Sequence, residues 1–377
     1  MAVKTMSFLD KLKKIPGAKS LMDIAPVKFH DTGIPIINLA LSGSISGGIP
    51  EGITCFSAPA KSFKTLLALH ALAQWQRDNP EGICLFWDVE MGNTPGYLKG
   101  LGIDTERVII PQVAGKKGAD KAIVTYEEFQ ISINDWLCRI ETEEEYKSVK
   151  WFFILDSLGA LVSAADVANT EAGELKADVG RTQKIIKTIF RMVGSRIKVA
   201  GIPFVVINQT YANISSYGGG QEVAGGSGIR YASDNIIVIS KSKERDGSEL
   251  IGYTFNMNPF ASRLVRENVK IPFKVFYGKP IQKYTGLAEF GKELGIISGC
   301  KIGVGGAICS PELPDFKCKN SEVETNSEFW ERIFKETSFV EQIEKYVRLA
   351  PMSTDDSALV EVDLDTGEIL DCEDDEK

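Results

Sequence analysis

Five short apolar runs divide the first two thirds of the chain, and segments with helical periodicity separate most of them. Each run is uniformly apolar and does not alternate with polar residues, which predicts strands buried on both faces. Buried strands that alternate with helices are typical of a parallel, doubly wound α/β sheet. The predicted strands are 53–57, 83–87, 151–155, 204–207 and 236–239, and the predicted helices are 64–78, 121–146 and 177–199.

The first predicted strand and the segment after it have the layout of a phosphate-binding loop. In ITCFSAPAKSFKTLLAL, from Ile53 to Leu69, a strand leads into a turn of small residues, and Lys64 and Thr65 then open a helix. The backbone N–H groups of such a turn bind phosphate together with the N-terminus of the helix. Lys64 would reach the β- and γ-phosphates of a nucleotide, and the Thr65 hydroxyl group would bind Mg²⁺.

The loop departs from the usual pattern, G-x-x-x-x-G-K-[ST], at both glycines. Ala58 occupies the first glycine position and Phe63 the second. Glycine is favoured there because it tolerates positive φ angles and lets the backbone approach phosphate closely. Taken alone, the stretch is therefore also compatible with a strand, a turn and a helix that carry an exposed lysine. The candidate nucleotide-binding residues are Ala58, Pro59, Ala60, Lys61, Ser62, Phe63, Lys64 and Thr65.

Polar residues that suit nucleotide chemistry follow three more predicted strands. Glu90 lies just past the second strand, where it would polarise the water that attacks a γ-phosphate or would simply be a solvated acid. Asp156 ends the third strand, as in the Walker B arrangement of an aspartate that holds Mg²⁺ through water. Gln209 follows the next strand and would sense the γ-phosphate. Because ligands bind at the carboxyl ends of strands in such sheets, these side chains are expected to lie close together.

One face of the third predicted helix is positively charged, and apolar residues occupy its opposite side. The polar positions on this face are Arg181, Lys184, Lys187 or Thr188, and Arg191. Their spacing of three and four residues places them in one row. Such a row neutralises phosphates without reading the base sequence, although a solvated charged face is the ordinary alternative. The helix therefore predicts a nucleic acid site.

Two segments that flank this helix, 159–178 and 211–230, lack hydrophobic periodicity and are expected to be loops. The second segment is rich in glycine, and Arg230 is its only basic residue. If it binds DNA, it would do so largely through backbone amides; a mobile surface loop is the alternative. Its candidate DNA-binding residues are Gly218, Gly219, Gly220, Gly225, Gly226 and Arg230.

The acidic residues are concentrated at the C-terminus. The chain has 377 residues and a formal net charge of −8, but eleven of its 51 acidic residues lie between Asp355 and Glu376. Without this tail the chain is nearly neutral, so its overall charge does not exclude nucleic acid binding. The tail is expected to be a disordered, solvated segment, or alternatively a DNA mimic that competes for a basic groove.

Cysteine and histidine usage argues against a metal centre bound by these residues, such as a zinc site. It also argues against a catalytic triad built on histidine. None of the seven cysteines forms a C-x-x-C pair, and the chain has two histidines. No apolar run approaches the roughly 18 residues of a membrane span, and the N-terminus lacks the features of a signal peptide. We therefore expect a cytoplasmic protein with reduced thiols and no membrane partner.

The order and spacing of these features resemble the RecA-like strand-exchange recombinases, and among them the UvsX recombinases of tailed bacteriophages. The resemblance runs from about residue 34 to about residue 297, in segments such as SAPAKSFKT, LFWDVEMGNTPGYLKGLGID, FFILDSLGAL, VVINQTY and GGGQEVAGGSG. Phage members of the family also carry phenylalanine before the loop lysine. The resemblance implies a RecA-like P-loop NTPase core, with a mainly parallel twisted sheet flanked by helices, and ATP and Mg²⁺ as cofactors.

The resemblance also implies an activity and partners. Family members form helical filaments on single-stranded DNA with ATP between subunits, pair that strand with homologous duplex DNA, and exchange strands. In a phage this would occur in the host cytoplasm, together with a single-strand-binding protein and a recombination mediator. The alternatives are a RecA-fold DNA helicase, a regulatory ATPase without DNA binding, and a purely structural filament subunit.

By position, the resemblance assigns roles to individual residues. Glu90 would be the general base, Tyr97 would stack on adenine, and Gln209 would be the γ-phosphate switch that acts on the second DNA loop. Thr65 and Asp156 would hold Mg²⁺, the latter through water. The residues implied to contact DNA phosphate are Lys184 and Arg191. Arg263 is the candidate for the cation that reaches the γ-phosphate of a neighbouring subunit, although the lysine expected just before it is absent.

The domain organisation is predicted in four parts. Residues 1–32 contain a helical pattern that could pack on the chain's own body or on a neighbouring subunit, and the resemblance implies the latter, an N-terminal oligomerisation segment. Residues 33–297 are predicted to form the ATPase and DNA-binding core. Strands within 249–277 should extend the sheet in antiparallel fashion, and a helix is expected over 285–295. After a glycine-rich boundary, residues 298–353 form a small C-terminal domain with a helix capped by Ser327, and residues 354–377 are the acidic tail.

Overall fold

A large mixed sheet lies between two layers of helices. The fold is taken from a computed structural model, which describes residues 26–111, 124–173, 179–212 and 221–349. The strands are β1 (Phe29–His30), β2 (Ile49–Pro50), β3 (Gly52–Ala58), β4 (Ile83–Asp88), β5 (Val108–Ile109), β6 (Trp151–Asp156), β7 (Pro203–Ala212), β8 (Gln221–Val223), β9 (Asn235–Asp246), β10 (Glu249–Ser262), β11 (Ile271–Phe276), β12 (Ser298–Ile302), β13 (Gly305–Ser310) and β14 (Leu313–Lys319).

The helices alternate with the strands over most of the described residues. They are α1 (Pro35–Ser42), α2 (Lys64–Asp78), α3 (Pro95–Gly100), α4 (Tyr126–Thr142), α5 (Glu144–Lys147), α6 (Ala164–Glu171), α7 (Val179–Val199), α8 (Gly226–Ala232), α9 (Leu287–Glu293), α10 (Ser327–Glu336) and α11 (Phe339–Val347). Two 3-10 helices, Thr105–Arg107 and Leu158–Ala160, complete the described helical structure.

The main sheet has the strand order β11-β10-β9-β3-β7-β6-β4-β5, and β8 pairs with β7 beside this path. All pairs from β9 to β5 are parallel, whereas β9, β10 and β11 pair in antiparallel fashion. The five strands predicted from the apolar runs are β3, β4, β6, β7 and β9. Their parallel pairing and the antiparallel extension by β10 and β11 confirm the predicted α/β fold.

Residues of the central strands are buried on both faces of the sheet. In β3, Phe56 belongs to a hydrophobic core that includes residues of α1, α2 and α9. Ile53 and Cys55 of the same strand belong to a second core, to which α4 and α7 contribute. Two-sided burial therefore explains why the strand sequences are uniformly apolar.

The helix predicted over 121–146 is two helices in the structure. Thr125 caps α4 through a capping box with Glu128, so the helix begins only at Tyr126. Glu143 has an extended conformation and separates α4 from α5. Residues 121–123 lie outside the described residues. The charged and polar residues near Glu143 continue the helical pattern, which is why the sequence does not reveal this break.

A three-stranded antiparallel sheet, β12-β13-β14, precedes the last two helices. The glycine-rich stretch that was interpreted as a boundary contains most of β12 and the start of β13. Asn326, and not the predicted Ser327, caps α10, because its side chain accepts a hydrogen bond from Phe329 N at 2.9 Å. Trp330 anchors α10, since its ring is buried and Nε1 donates to Val323 O at 2.6 Å.

The end of the described chain contacts its beginning. Arg348 Nε donates to Gly43 O at 3.0 Å, and Glu344 accepts hydrogen bonds from Ser44 and Ile45 just after α1. Phe339 of α11 lies in the same hydrophobic core as α1 and α2. The described part of the predicted C-terminal domain is therefore packed against the main sheet layer. Among the described residues, no helix has the length and apolar character needed to cross a membrane.

Candidate functional site

The loop between β3 and α2 keeps an unusual backbone conformation without glycine. Lys61 and Phe63 both have left-handed conformations, with φ angles of 57° and 59°. Each such residue costs roughly 1–2 kcal/mol when it is not glycine. The Phe63 ring packs edge to face on Phe255 of β10, with centroids 5.2 Å apart, and also contacts Tyr253. These contacts hold the side chain that occupies the usual glycine position.

Lys64 points back into this loop from the first turn of α2. Its side chain is only 8% exposed, and Nζ donates to the carbonyl oxygens of Ala58 and Pro59, each at 3.0 Å. Burial lowers the pKa of Lys64, and the nearby carboxylates of Glu90 and Asp156 oppose this effect. The ammonium group is thus held inside the loop by carbonyl groups, which a phosphate would replace as its partners.

The two predicted Mg²⁺ ligands lie next to each other. Thr65 Oγ1 donates to Asp156 Oδ2 at 2.8 Å, which joins the start of α2 to the end of β6. Mg²⁺ in nucleotide sites takes one or two protein oxygens, with phosphate oxygens and water completing the octahedron. Among the described residues, no cluster of three or more His, Cys, Asp or Glu could hold a metal by itself. This donor pair therefore suits Mg²⁺ that arrives with a nucleotide.

Glu90 is attached to the same strand end. Its backbone N–H and that of Val89 donate to Asp156 O at 3.2 and 2.7 Å, and its carboxylate accepts a hydrogen bond from Ser157 Oγ. Glu90 nevertheless remains exposed to solvent. A carboxylate that is both oriented by hydrogen bonds and open to water can take a proton from a water molecule beside the phosphate loop.

Asp156 has a shifted protonation equilibrium because it lies in the interior. Burial raises its pKa to about 6, above the ordinary value of 3.8. The hydrogen bond from Thr65 opposes this rise, whereas the carboxylates of Glu90 and Asp88 add to it. Folding therefore favours the protonated carboxyl group when no cation is bound nearby.

This shift predicts a pH-dependent difference in stability between the wild type and Asp156→Asn. With a raised folded pKa, the stabilisation is complete below the unfolded pKa and is lost as the pH rises through about 6. Between about pH 4.5 and about pH 7.5, without nucleotide or Mg²⁺, the wild type should lose about 2 kcal/mol relative to the variant. Urea unfolding at several pH values measures this; a constant difference would contradict the pKa assignment.

Gln209 joins the phosphate loop to the segment after β8. It is paired in register with Ala58 on the neighbouring strand, and its carbonyl accepts a hydrogen bond from Ala224 N at 3.0 Å. Asn208 Nδ2 donates to Ala224 O at 2.7 Å. The Gln209 side chain lies against Gly159, where a Cβ atom would be 3.3 Å from its amide carbon. The Gln209 backbone is therefore hydrogen bonded to Ala224, whereas its side chain lies against Gly159.

The two segments predicted to be loops contain regular structure where they are described. The first contains the helix α6, and residues 174–178 lie outside the described residues. The second contains the end of β7, the strand β8 and most of α8. Short polar and glycine-rich elements lack the periodicity that identifies longer ones, which explains why both predictions were wrong in part. Gly218, Gly219 and Gly220 lie outside the described residues.

Glycine allows α8 to start and to approach α7 closely. Gly225 and Gly226, at the helix start, have φ angles of +90° and +62°. A Cβ atom at Gly228 would lie 2.7 Å from the Cα atom of Lys187, so only glycine permits this helix contact. Sequence reasoning missed Gly228, although it belongs to the quoted glycine-rich segment. The contact places α8 beside the positively charged face of α7.

The predicted positive face of α7 is exposed, as its spacing indicated. Arg181, Lys184 and Thr188 line a surface pocket of about 530 Å³ together with Gln130 of α4. A second pocket, of about 580 Å³, lies between α7 and α8. We call it the α7–α8 pocket; its lining includes Lys187, Arg191, Lys198, Ser227, Tyr231 and Arg263. The opposite side of α7 is buried in the second hydrophobic core.

The α7–α8 pocket combines positive charge with an aromatic ring. Within the described residues, Lys198 pairs with Asp234, whereas Lys187, Arg191 and Arg263 form no ion pair. Tyr231 is 76% exposed at the edge of the pocket. Exposed cations beside an exposed ring are suited to the phosphates and bases of a nucleic acid.

Three further predicted site residues are exposed on the surface of the chain. Arg263 lines the α7–α8 pocket, and its predicted partner is the nucleotide of a neighbouring subunit. Arg230, on α8, stacks over the Phe260 ring at 5.2 Å. Tyr97 lies in the first turn of α3 and is 45% exposed. Their assigned roles remain predictions.

The parallel sheet, the phosphate loop after β3 and the aspartate that ends β6 define the class of the fold. It is the core of a RecA-like P-loop NTPase. The model of the RecA N-terminal domain matches residues 4–282 of the chain. The chain is also 31% identical to the recombination and repair protein of Enterobacteria phage T4, over 94% of this chain and 89% of that protein.

Bacterial relatives match over a somewhat shorter length. Protein RecA of Cutibacterium acnes is 27% identical, over 77% of this chain and 78% of that protein. Protein RecA of Mesomycoplasma hyopneumoniae is 28% identical, over 77% of this chain and 80% of that protein. The chain therefore belongs to the RecA family, in agreement with the resemblance found in its sequence.

Proposed function

We propose that this protein is an ATP-dependent DNA recombinase. It forms a helical filament on single-stranded DNA, pairs that strand with homologous duplex DNA, and exchanges strands. The observation that carries the proposal is the continuous connection from the phosphate loop, through Gln209 and Ala224, to the start of α8, whose Ser227 and Gly228 line the α7–α8 pocket. The connection links a nucleotide site to a positively charged surface.

The nucleotide is ATP, and Mg²⁺ accompanies it. Lys64, which now donates to carbonyl oxygens of the loop, would bind the β- and γ-phosphates. The neighbouring oxygens of Thr65 and Asp156 would hold the cation, the latter through water. Mg²⁺ neutralises charge on the phosphates when it is bound. Glu90 orients the attacking water and accepts its proton. Tyr97 supplies a surface on which adenine stacks.

Gln209 couples the nucleotide to DNA binding. Its side-chain amide would contact the γ-phosphate, while its backbone carbonyl accepts a hydrogen bond from Ala224 N. Loss of the γ-phosphate on hydrolysis would free the side chain and shift the segment that leads into α8. This is an order–disorder type of switch, in which a small change at the nucleotide weakens the binding of DNA.

DNA lies along the positive surface of α7 and α8. Lys184 and Arg191 neutralise phosphates, and the backbone of Gly225 and Gly226 approaches the strand closely. We propose that Arg263 contributes to this surface, because it lines the same pocket as Arg191. Contacts of this kind do not read base sequence, as a search for homology requires.

The remaining parts of the proposal rest on family membership. Residues 1–32 would mediate self-association into the filament, residues 33–297 form the ATPase and DNA-binding core, and residues 298–353 form a small C-terminal domain. The acidic tail, 354–377, would restrain DNA binding electrostatically. A single-strand-binding protein and a recombination mediator would be further partners.

The proposal is tested by ATP hydrolysis with and without single-stranded DNA. We expect strong stimulation by DNA of any sequence, together with sedimentation of the protein–DNA complex as long filaments. Hydrolysis that does not respond to DNA would favour a regulatory ATPase. Unwinding of a duplex without a homologous strand would favour a helicase. Either result would contradict the proposal.

Replacing Arg191 with alanine should weaken binding to single-stranded DNA. Loss of one phosphate contact lowers affinity by about 5- to 10-fold and reduces the slope of log K against log salt by about 1. Fluorescence anisotropy with a labelled oligonucleotide at several salt concentrations measures both values. Lys345→Ala, an exposed lysine on α11, is the matched control and should leave both unchanged. Equal effects of the two variants would remove α7 from the DNA surface.

A further inference from the structure

A lysine outside the phosphate loop contacts it from the antiparallel side of the sheet. Lys241 lies on β9, and its Nζ donates a hydrogen bond to the carbonyl oxygen of Lys61 at 2.7 Å. The same ammonium group lies over the Tyr253 ring of β10, 5.0 Å from its centroid. Lys241 is exposed, so this contact is not a consequence of burial in the core.

The carbonyl group that Lys241 holds belongs to a residue with a strained backbone. Lys61 has a φ angle of 57°, which non-glycine residues keep only when their surroundings hold them there. Phe63, the other such residue of the loop, is held by its aromatic contacts with Phe255 and Tyr253. The Lys61 side chain is exposed to solvent and is not packed in the same way. The hydrogen bond from Lys241 to the Lys61 carbonyl group supports the backbone conformation of Lys61 instead.

The ammonium groups of two lysines thus donate hydrogen bonds to carbonyl groups of this loop. Lys64 binds those of Ala58 and Pro59, and Lys241 binds that of Lys61. The two lysines are close enough that the positive charge of Lys241 contributes to lowering the pKa of Lys64. Carbonyl oxygens repel phosphate, so a loop that binds an anion needs them turned away and its N–H groups turned inward.

We propose that Lys241 is a positioning residue for the phosphate loop, which fixes the Lys61 carbonyl group and thereby keeps the loop in its phosphate-binding conformation. The inference rests on the proposed function, because it requires this loop to bind ATP. Tyr253 links the two supports of the loop, since it contacts both Lys241 and Phe63. Together these residues support the two positions of the loop that have positive φ angles without being glycine.

The test is the affinity of the full chain for Mg·ATPγS, measured by titration calorimetry, together with kcat and KM for ATP. Lys241→Met should raise the Kd and KM about 10-fold and leave kcat within about 3-fold, because the lost hydrogen bond from a charged donor shapes the loop and not the reacting groups. Lys241→Arg should restore most of the affinity. Lys243→Met, an exposed lysine on the same strand, should match the wild type.

A double-mutant cycle separates positioning from a simple charge effect. Glycine adopts positive φ without support, so in a Lys61→Gly background the change Lys241→Met should raise the Kd by less than about 3-fold. The same 10-fold loss in both backgrounds would overturn the positioning role. Melting temperatures of all variants without nucleotide, expected to lie close to the wild type, verify that they are folded.

The outcomes also distinguish this inference from the proposed function. If the wild type binds ATPγS and Lys241→Met binds it equally well, the inference on Lys241 is wrong and the proposed function stands. If the wild type does not bind ATPγS, the proposed function fails, and the role of Lys241 fails with it.

Discussion

Lys64→Ala is expected to reduce ATP hydrolysis by at least about 100-fold, since a cation placed on transferring phosphates contributes effects of that size. Lys64 is the buried cation inside the loop, and its two hydrogen-bond partners are neutral carbonyl oxygens. The side chain is therefore available for phosphate, and no other lysine side chain among the described residues occupies the interior of the loop. A phosphate-release assay with saturating ATP and single-stranded DNA measures the loss.

The appropriate control removes a lysine elsewhere. Lys292→Ala changes an exposed residue of α9 and should keep wild-type hydrolysis. Circular dichroism should show that Lys64→Ala is folded, because its ammonium group makes only two hydrogen bonds within the loop. Turnover within a few-fold of the wild type in Lys64→Ala would mean that the phosphate site lies elsewhere in the chain.

Glu90→Gln should separate nucleotide binding from hydrolysis. The amide keeps the size of the side chain and can still accept the hydrogen bond from Ser157, but it cannot take a proton from water. Loss of a general base lowers turnover by about 100-fold or more. Affinity for Mg·ATP and for single-stranded DNA should stay within about 3-fold, because no proton transfer is needed for binding. Stopped-flow and steady-state hydrolysis with DNA measure the effect.

Two comparisons make the result specific to Glu90. Glu81→Gln removes an exposed carboxylate before β4 and should hydrolyse ATP at the wild-type rate. The proposed filaments should persist on DNA after ATP addition in Glu90→Gln, since the proposal links their disassembly to hydrolysis. Wild-type turnover in Glu90→Gln would show that another group activates the water, and the hydrogen bond from Ser157 would then be purely structural.

Local sequence patterns predicted much of the core. The boundaries of α2 were predicted correctly because Lys64 follows a turn and the pattern ends at Asp78. The rule that polar residues gather at the carboxyl ends of parallel strands led to the expectation that Glu90 and Asp156 lie close together, and the backbone N–H of Glu90 donates a hydrogen bond to Asp156 O. Thr65 and Asp156, both predicted to hold Mg²⁺, are also hydrogen bonded. Residues near in sequence, or placed by sheet topology, are accessible to such reasoning.

Contacts between distant segments could not be predicted in this way. Phe63 depends on Phe255, and Lys61 depends on Lys241, at separations of nearly two hundred residues. The close approach of Gly228 to Lys187 likewise requires the packing of two helices. The local sequence pattern contains no signal for these pairs, because their contacts depend on the strand order of the whole sheet and on the packing of helices against each other. The functional roles assigned to site residues remain predictions.

The most direct test of the proposed function is strand exchange itself. Circular single-stranded DNA and homologous linear duplex DNA are mixed with the protein, ATP and Mg²⁺, and joint molecules are followed on gels. We predict joint molecules and nicked circular product that require both ATP and homology and that are absent with Lys64→Ala. Duplex unwinding that proceeds without homology, or no joint molecules although DNA stimulates hydrolysis, would contradict the assignment as a recombinase.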